Sequence, residues 1–154
     1  MIWEEFAAAA PELAAFGVKR LETKVAYLAT LRRDGSPRVH PVSPFVASGH
    51  LFVYMEPTSP KGHDLRRDGR YSLHCSVADI EGGEGEFFIS GRAALSEDPE
   101  MREAAFAGAK AVGFSPKDRY ILFELSVESC LATTYQTGEP VRLRWKHGLP
   151  VEKL

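Results

Sequence analysis

The chain has 154 residues, 44% of them hydrophobic and 26% charged, and its 19 basic and 21 acidic side chains leave a net charge of −2. A chain of this length buries roughly 70% of the surface it exposes when unfolded, and its apolar content with so little net charge excludes a disordered segment. Near-neutrality excludes a global pull toward nucleic acid or anionic membranes, and no apolar run approaches the ~20 residues that span a bilayer.

Residues 3–16 read as one or two helical pieces. Trp3, Phe6 and Ala10 share a face, and Pro11 opens a second piece that carries Leu13 and Phe16. Gly17 is the expected stop. The Ala-rich run from Ala7 to Ala10 follows Glu4 and Glu5 and is broken by Pro11, which is not the basic-then-apolar order of a secretion signal. A cytoplasmic location is the expectation.

From Val25 the period changes to that of strands. Val25 to Arg32 is the first, Asp34-Gly35 is a hairpin turn, and Arg38 to Val46 returns with Val39 and Phe45 turned inward. Pro41 and Pro44 cannot donate ladder hydrogen bonds, so this return strand has unpaired stretches, an edge or a bulge. Such places leave backbone groups free for a ligand.

Ser48-Gly49-His50 turns into a third strand, Leu51 to Met55. The turn-rich segment Glu56 to Pro60 leads into a short basic helix over about Lys61 to Arg67, ended by Asp68-Gly69. Tyr71 to Val77 is the fourth strand, Glu81 to Glu86 an acidic turn, and Glu86 to Leu95 the fifth strand. A helix over 99–110 opens on Pro99. Tyr120 to Val127 is a long strand resuming through Cys130 to Tyr135, and Val141 to Lys146 is the last. Six or seven mostly consecutive strands with three helical pieces favour an antiparallel barrel over a doubly wound sheet.

The two cysteines, Cys75 and Cys130, sit in apolar strands and read as buried free thiols. His40, His63, His74 and Cys75 have none of the spacings of a convincing metal site, so no metal is expected. Gly83 to Phe88 begins like a dinucleotide fingerprint but has Phe88 in place of the third glycine. Neither a nucleophile elbow nor a Walker loop is present. The carboxylate pairs Glu84/Glu86 and Glu97/Asp98 lie in turns and read as solvated.

The segment from Ser59 to Arg70 is the strongest candidate site. Ser59 and Lys61 fall where a helix begins, and free N–H groups, a hydroxyl and a mobile ammonium there suit a phosphate. His63, Arg66, Arg67 and Arg70 are spaced to share one helical face. That face either steers anions or is simply solvated and paired with Asp64 and Asp68. No aromatic row interleaves it, so nucleic acid is not an expected partner. In the tail, Arg142, Arg144 and Lys146 alternate against Leu143 and Trp145, the pattern of an amphipathic edge strand.

Two stretches carry a resemblance. Ala26-Tyr-Leu-Ala-Thr-Leu with Asp34-Gly-Ser-Pro-Arg-Val-His-Pro-Val42, followed by Ser59-Pro-Lys-Gly-His-Asp-Leu-Arg-Arg-Asp-Gly-Arg-Tyr-Ser-Leu73, resembles the flavin-binding split-barrel family, the relatives of pyridoxamine-phosphate oxidase. The second stretch is similar to the family's pattern of a phosphate-binding lysine followed by Asn-Leu-Arg-Arg-Asp-Pro-Arg-Val, with Asp64 replacing the asparagine and Gly69 the proline. The resemblance implies a mainly β chain forming a six-stranded antiparallel split barrel of Greek-key connectivity. It implies a homodimer with two flavins in the clefts between subunits. The helical segment would cover residues 1–20, the barrel 21–147, and a tail 148–154, all in one domain.

Carried onto this chain, the resemblance places the FMN phosphate on Ser59, Pro60 and Lys61. Arg38, Val39, His40, Pro41 and Val42 would run beside the ring, and Tyr54 and Met55 would flank the ribityl chain or ring. Trp145 would reach the partner's flavin. No residue stands out as a general acid or base, which fits chemistry carried by the cofactor. The implied activity is that of an FMN-binding oxidoreductase moving hydride between a reduced nicotinamide or small substrate and the flavin. Its alternatives are a deazaflavin-dependent reductase of the same fold, whose acidic tail would suit the arginine face, and a binding protein that stores or senses flavin. Haem is the least favoured cofactor.

Overall fold

The computed structural model describes residues 1–136 and 138–154. Helices α1 (Trp3–Ala9) and α2 (Pro11–Leu21) come first, then β1 (Ala26–Leu31), β2 (Pro37–Val42), β3 (Phe45–Ala47) and β4 (His50–Met55). Helix α3 (Pro60–Arg67) is followed by β5 (Arg70–Cys75), β6 (Glu86–Ser96) and α4 (Pro99–Ala111). The chain closes with β7 (Ile121–Leu125), β8 (Ser129–Gln136), β9 (Glu139–Lys146) and the two-residue β10 (Glu152–Lys153). Among the described residues there are four helices, the first two separated at Pro11, which opens the second of them as its first-turn preference suggests. The seven residues after His147 add a pairing of β10 with β9.

The sheet curls on itself through antiparallel pairs β1–β2, β1–β5, β5–β6, β6–β7, β7–β4 and β4–β3. Strands β2 and β3 are two halves of one return strand, interrupted at Ser43-Pro44, where no ladder bond is possible to the proline nitrogen. Counted so, the circuit is a six-stranded antiparallel half-opened barrel, as expected. The interruption lets the strand leave β1 and join β4. On the opposite side, β6 does the equivalent. Its first part pairs with β8 and its last four residues with β7, pivoting at Gly91, where any Cβ would collide with the Ser126 carbonyl. Strands β8, β9 and β10 extend the sheet beyond the circuit.

Local chemistry fixes the ends of these elements. In the β1–β2 turn, Asp34 Oδ1 accepts hydrogen bonds from the Ser36 N–H and hydroxyl. Ser59 caps α3 by accepting the Gly62 N–H, with Pro60 in the first turn, and Asp98 caps α4 through the Glu100 and Met101 N–H groups.

The main core joins the barrel interior to the faces of α1 and α2, with Phe6, Leu13, Leu28, Leu73, Phe87 and Phe123 fully buried. A second cluster, Phe45, Phe52, Ala105, Ala109 and Leu122, lies under α4. Cys75 and Cys130 are both buried and free.

Gly17 does not stop a helix. It lies inside α2, with the Phe87 ring so close that an added Cβ would approach Cε1 to 2.8 Å. The glycine is there to let the helix press onto the sheet. Arg20, 1% exposed, then ties the helix end to the acidic loop by an ion pair with Glu84 and a bond to the Ser76 carbonyl.

Two further expectations are corrected. Val39 is 61% exposed, not inward. The hairpin register pairs Thr30 with Arg38, Leu28 with His40 and Ala26 with Val42, so the buried face of β1 faces the polar members of β2. The basic stripe of α3 is also broken. The helix ends at Arg67, and Arg70 belongs to β5, where it pairs with Asp68.

Candidate anion site at the start of helix α3

The site forms where α3 meets the β1–β2 hairpin. Residues on the inward side of β2, Arg38 and His40, stand beside the first turns of α3, which carry Lys61 and Asp64. Ser59 Oγ accepts the Gly62 N–H at 3.2 Å, so its oxygen is engaged while its own proton remains free to donate. The Lys61 N–H is a free donor of the first turn among the described bonds.

Lys61 is half-buried, and its ammonium has no hydrogen-bond or ion-pair partner among the described residues. Burial holds its pKa below the usual lysine value. His40 is held below its ordinary value too, first by burial and then by the charges of Lys61, Arg38 and Arg32. The charges of Lys61 and Arg38 thus both act on the His40 imidazole, while Asp64 is the carboxylate bonded to Arg38.

Asp64 is 4% exposed. Its Oδ2 accepts hydrogen bonds from Thr30 Oγ1 at 3.0 Å and Arg38 Nε at 2.7 Å, and its Oδ1 accepts from Arg67 Nη2 at 3.3 Å. Burial pushes the carboxyl up, but the bonds from Arg38 and Thr30 with the Arg38 charge outweigh it, and the net shift is down. Arg67 also donates to the Leu31 carbonyl. Beyond Arg38 the surface opens into a cleft of about 480 Å³ lined by Arg32, Arg33, Asp34, Arg38, Asp64 and Arg67.

The residues expected at a flavin site are partly brought together. Arg38, His40, Ser59 and Lys61 converge, and Pro60 holds the first turn of α3. Val42 lines the interior at 7% exposure, while Val39 and Pro41 face outward beside Tyr27. Met55 is buried under α3, with its sulfur 3.3 Å from where a Gly62 Cβ would stand. Tyr54 points to the other side of β4, stacked on Phe45 at 5.9 Å.

Trp145 does not join the site. It is 1% exposed and packs on Phe6 at 4.9 Å, because α1 folds over the face of β9 that carries it. The side chains that sequence reasoning missed are Asp64 as a buried hub, Thr30 and Arg32. The signal was present in part, since the Asp34-Gly35 hairpin sets Thr30 opposite Arg38 and Asp64 lies three residues after Lys61 on the same helical side. Among the described residues no group of three His, Cys, Asp or Glu side chains is placed to hold a metal. No helix among them is long and apolar enough to cross a membrane.

Residues 10–133 match the sequence model of the pyridoxamine 5'-phosphate oxidase family. No curated protein matches the chain at a significant level. Among solved structures, PhzG from Burkholderia lata 383, in complex with tetrahydrophenazine-1-carboxylic acid, superposes with a TM-score of 0.64 at 20% identity, covering 99% of this chain and 91% of that one. A putative pyridoxamine 5'-phosphate oxidase from Listeria innocua gives 0.63 at 17% identity over 84% and 98%. A heme binding protein from Mycobacterium smegmatis gives 0.63 at 19% identity, over 91% of this chain and 55% of that one. At these identities the likeness is one of fold.

Proposed function

The chain belongs to the pyridoxamine 5'-phosphate oxidase family, and on that premise we propose that it is an FMN-binding oxidoreductase whose cofactor phosphate lies at the start of α3. The observation that carries this reading is the unpartnered, half-buried Lys61 ammonium, whose charge acts on His40 together with that of Arg38, a guanidinium whose terminal nitrogens are also free among the described residues. A desolvated cation without a counter-ion is costly by itself, and a phosphate repays that cost with charge-assisted hydrogen bonds. The Ser59 hydroxyl and the Lys61 N–H add two donors to the same place.

The broken return strand supports placing the ring along β2. Ser43 and Pro44 have no ladder partners, and at their end a recess of about 240 Å³ is lined by Ser43, Phe45, Phe114 and Lys24 among others. The chain's contributions are to bind the phosphate, fix the ring against the strand and present an aromatic-floored recess to a small substrate. FMN itself supplies the hydride and electron chemistry when bound. Tyr54 faces away and Met55 is buried under α3, so contact with the cofactor near these positions falls to the backbone.

A homodimer belongs to the same reading. Tyr27 and Val39 are 47% and 61% exposed on the outer face of β1–β2, and Val25 and Val77 lie at 45% and 40%. Large apolar side chains gathered on one sheet face mark an interaction surface, and a second copy would cover it.

The arginine cleft beyond Arg38 favours one second reading, a deazaflavin with a longer acidic tail in place of FMN. Titrating cofactor-free protein with FMN and with the deazaflavin, each followed by fluorescence, tests both. FMN binding with reduction by a nicotinamide faster than free flavin supports the oxidoreductase. FMN binding without turnover leaves a flavin-binding protein, preferential deazaflavin binding favours the second reading, and binding of neither refutes both.

A further inference from the structure

Asp64 joins α3 to both strands of the β1–β2 hairpin, through Thr30 on β1 and Arg38 on β2. The manner of the Arg38 contact matters more than its existence. The bond is made by Nε, at 2.7 Å, and Arg38 is 23% exposed with no other partner among the described residues. A guanidinium is planar and rigid, so fixing Nε against a buried acceptor fixes where the Nη1 and Nη2 hydrogens point. Both terminal nitrogens are unbonded among the described residues, and Arg38 lines the open cleft with Arg32, Arg33 and Arg67.

Without Asp64, Arg38 would have no acceptor in the fold. It would stand among the like charges of Lys61, Arg32 and Arg67, and a flexible side chain in that position swings out to solvent. Asp64 is itself held in place by Arg67 at its other oxygen and by Thr30 of the hairpin at the same Oδ2, so it transmits the position of the hairpin to the guanidinium. The family pattern has asparagine here, which keeps one side-chain oxygen able to accept the Nε–H while losing the charge and the second acceptor that faces Arg67.

We propose that Asp64 is a positioning residue of the cofactor site, holding Arg38 by its Nε so that both terminal nitrogens present to the cofactor phosphate. The inference rests on the FMN reading above. Its readout is the ratio of riboflavin to FMN dissociation constants, since the two ligands differ only in the phosphate and a merely structural defect moves both together.

The wild-type protein should favour FMN at least tenfold. Asp64→Ala should lower that preference by about tenfold, the scale of one charge-assisted hydrogen bond, while Asp64→Asn should keep it within about threefold. Arg38→Lys reads the same contact from the other side, because it replaces a rigid planar fork, in which one fixed nitrogen orients the other two, by a freely rotating point charge. It should lose as much as Asp64→Ala, with no further loss in the double variant. If Asp64→Ala fails to fold, Arg38→Lys and Asp64→Asn carry the test alone. An unchanged ratio in Asp64→Ala or Arg38→Lys overturns the proposal. So does an increase in Asp64→Ala, which would mean that the carboxylate merely opposes the phosphate. A wild-type protein that binds flavin without preferring FMN refutes the phosphate site itself, separately from the role of Asp64.

Discussion

Replacing Lys61 by alanine should weaken FMN binding by about 1.5–3 kcal/mol, or roughly 10- to 150-fold in dissociation constant. Lys61 has no partner among the described residues, so its whole contribution is available to a ligand. Two unit charges 4 Å apart at a protein surface attract by about 4 kcal/mol in an effective dielectric of 20. Lys61 is only half-buried, and the solvent it keeps screens that figure toward the hydrogen-bond range. The fold should tolerate the change, because the ammonium is desolvated and makes no native bond to lose. Fluorescence titration of the apo-protein with FMN and riboflavin, alongside a thermal melt, measures all three effects. The expected pattern is a large loss for FMN, little change for riboflavin and a melting temperature within a few degrees of the parent. An unchanged FMN constant, or equal losses for both flavins, would refute the placement of the phosphate on Lys61.

Gly17→Ala should destabilise the fold by up to about 2 kcal/mol in urea titration: three atoms of the Phe87 ring stand within 3.0 Å of the added Cβ, which puts overpacking at the upper end of its about 1–3 kcal/mol range, and the ~1 kcal/mol helix-propensity gain offsets part of it. A stabilised variant would show that the α2–β6 contact is looser than described. Arg20→Ala should cost about 3 kcal/mol, since it removes a buried guanidinium bonded to Glu84 and the Ser76 carbonyl, whereas Glu84→Gln, at a half-exposed carboxylate, should cost far less. Equal losses would show that the ion pair itself sets the cost. Stability should fall with acid in two stages. His40 is held below 6.5 in the fold, so as pH drops past 6.5 the unfolded chain takes up the proton first and stability declines. Asp64 is held below 3.8, so its contribution is present above that pH and is lost as pH falls through the folded value. Denaturation between about pH 2 and 8 should show His40→Gln removing the upper slope and Asp64→Asn reducing the lower one, to which Asp34, Glu56, Asp68 and Glu84, also held below their ordinary values, contribute.

The parts of the fold legible in the sequence are those set by near neighbours. The Asp34-Gly35 turn, the Ser59 and Pro60 cap, and the interruption of the return strand by proline all follow from local backbone chemistry, and the interruption is what opens the barrel. What was not legible depends on packing between distant segments. The phase of β2 was misread because a valine beside prolines looks like a core residue, yet the register with β1 turns Arg38 and His40 inward. Gly17 looked like a stop because its partner, Phe87, lies 70 residues away. The alternation of β9 was read correctly, but the side that carries Trp145 is covered by α1 from the same chain, so its ring is packed on Phe6 and not exposed on the surface. The site itself was half visible. Lys61, Ser59 and Arg38 could be named from their motifs, whereas the burial of Asp64 exists only once α3 is laid on the hairpin.

The most direct measurement is the absorption spectrum of the purified protein, followed by mass analysis of whatever small molecule it releases, with FMN added if none is found. FMN as the bound or tightly titrating cofactor is the expected result. A protein that carries haem, or that binds neither FMN nor deazaflavin, would contradict the claim that the start of α3 is a flavin phosphate site.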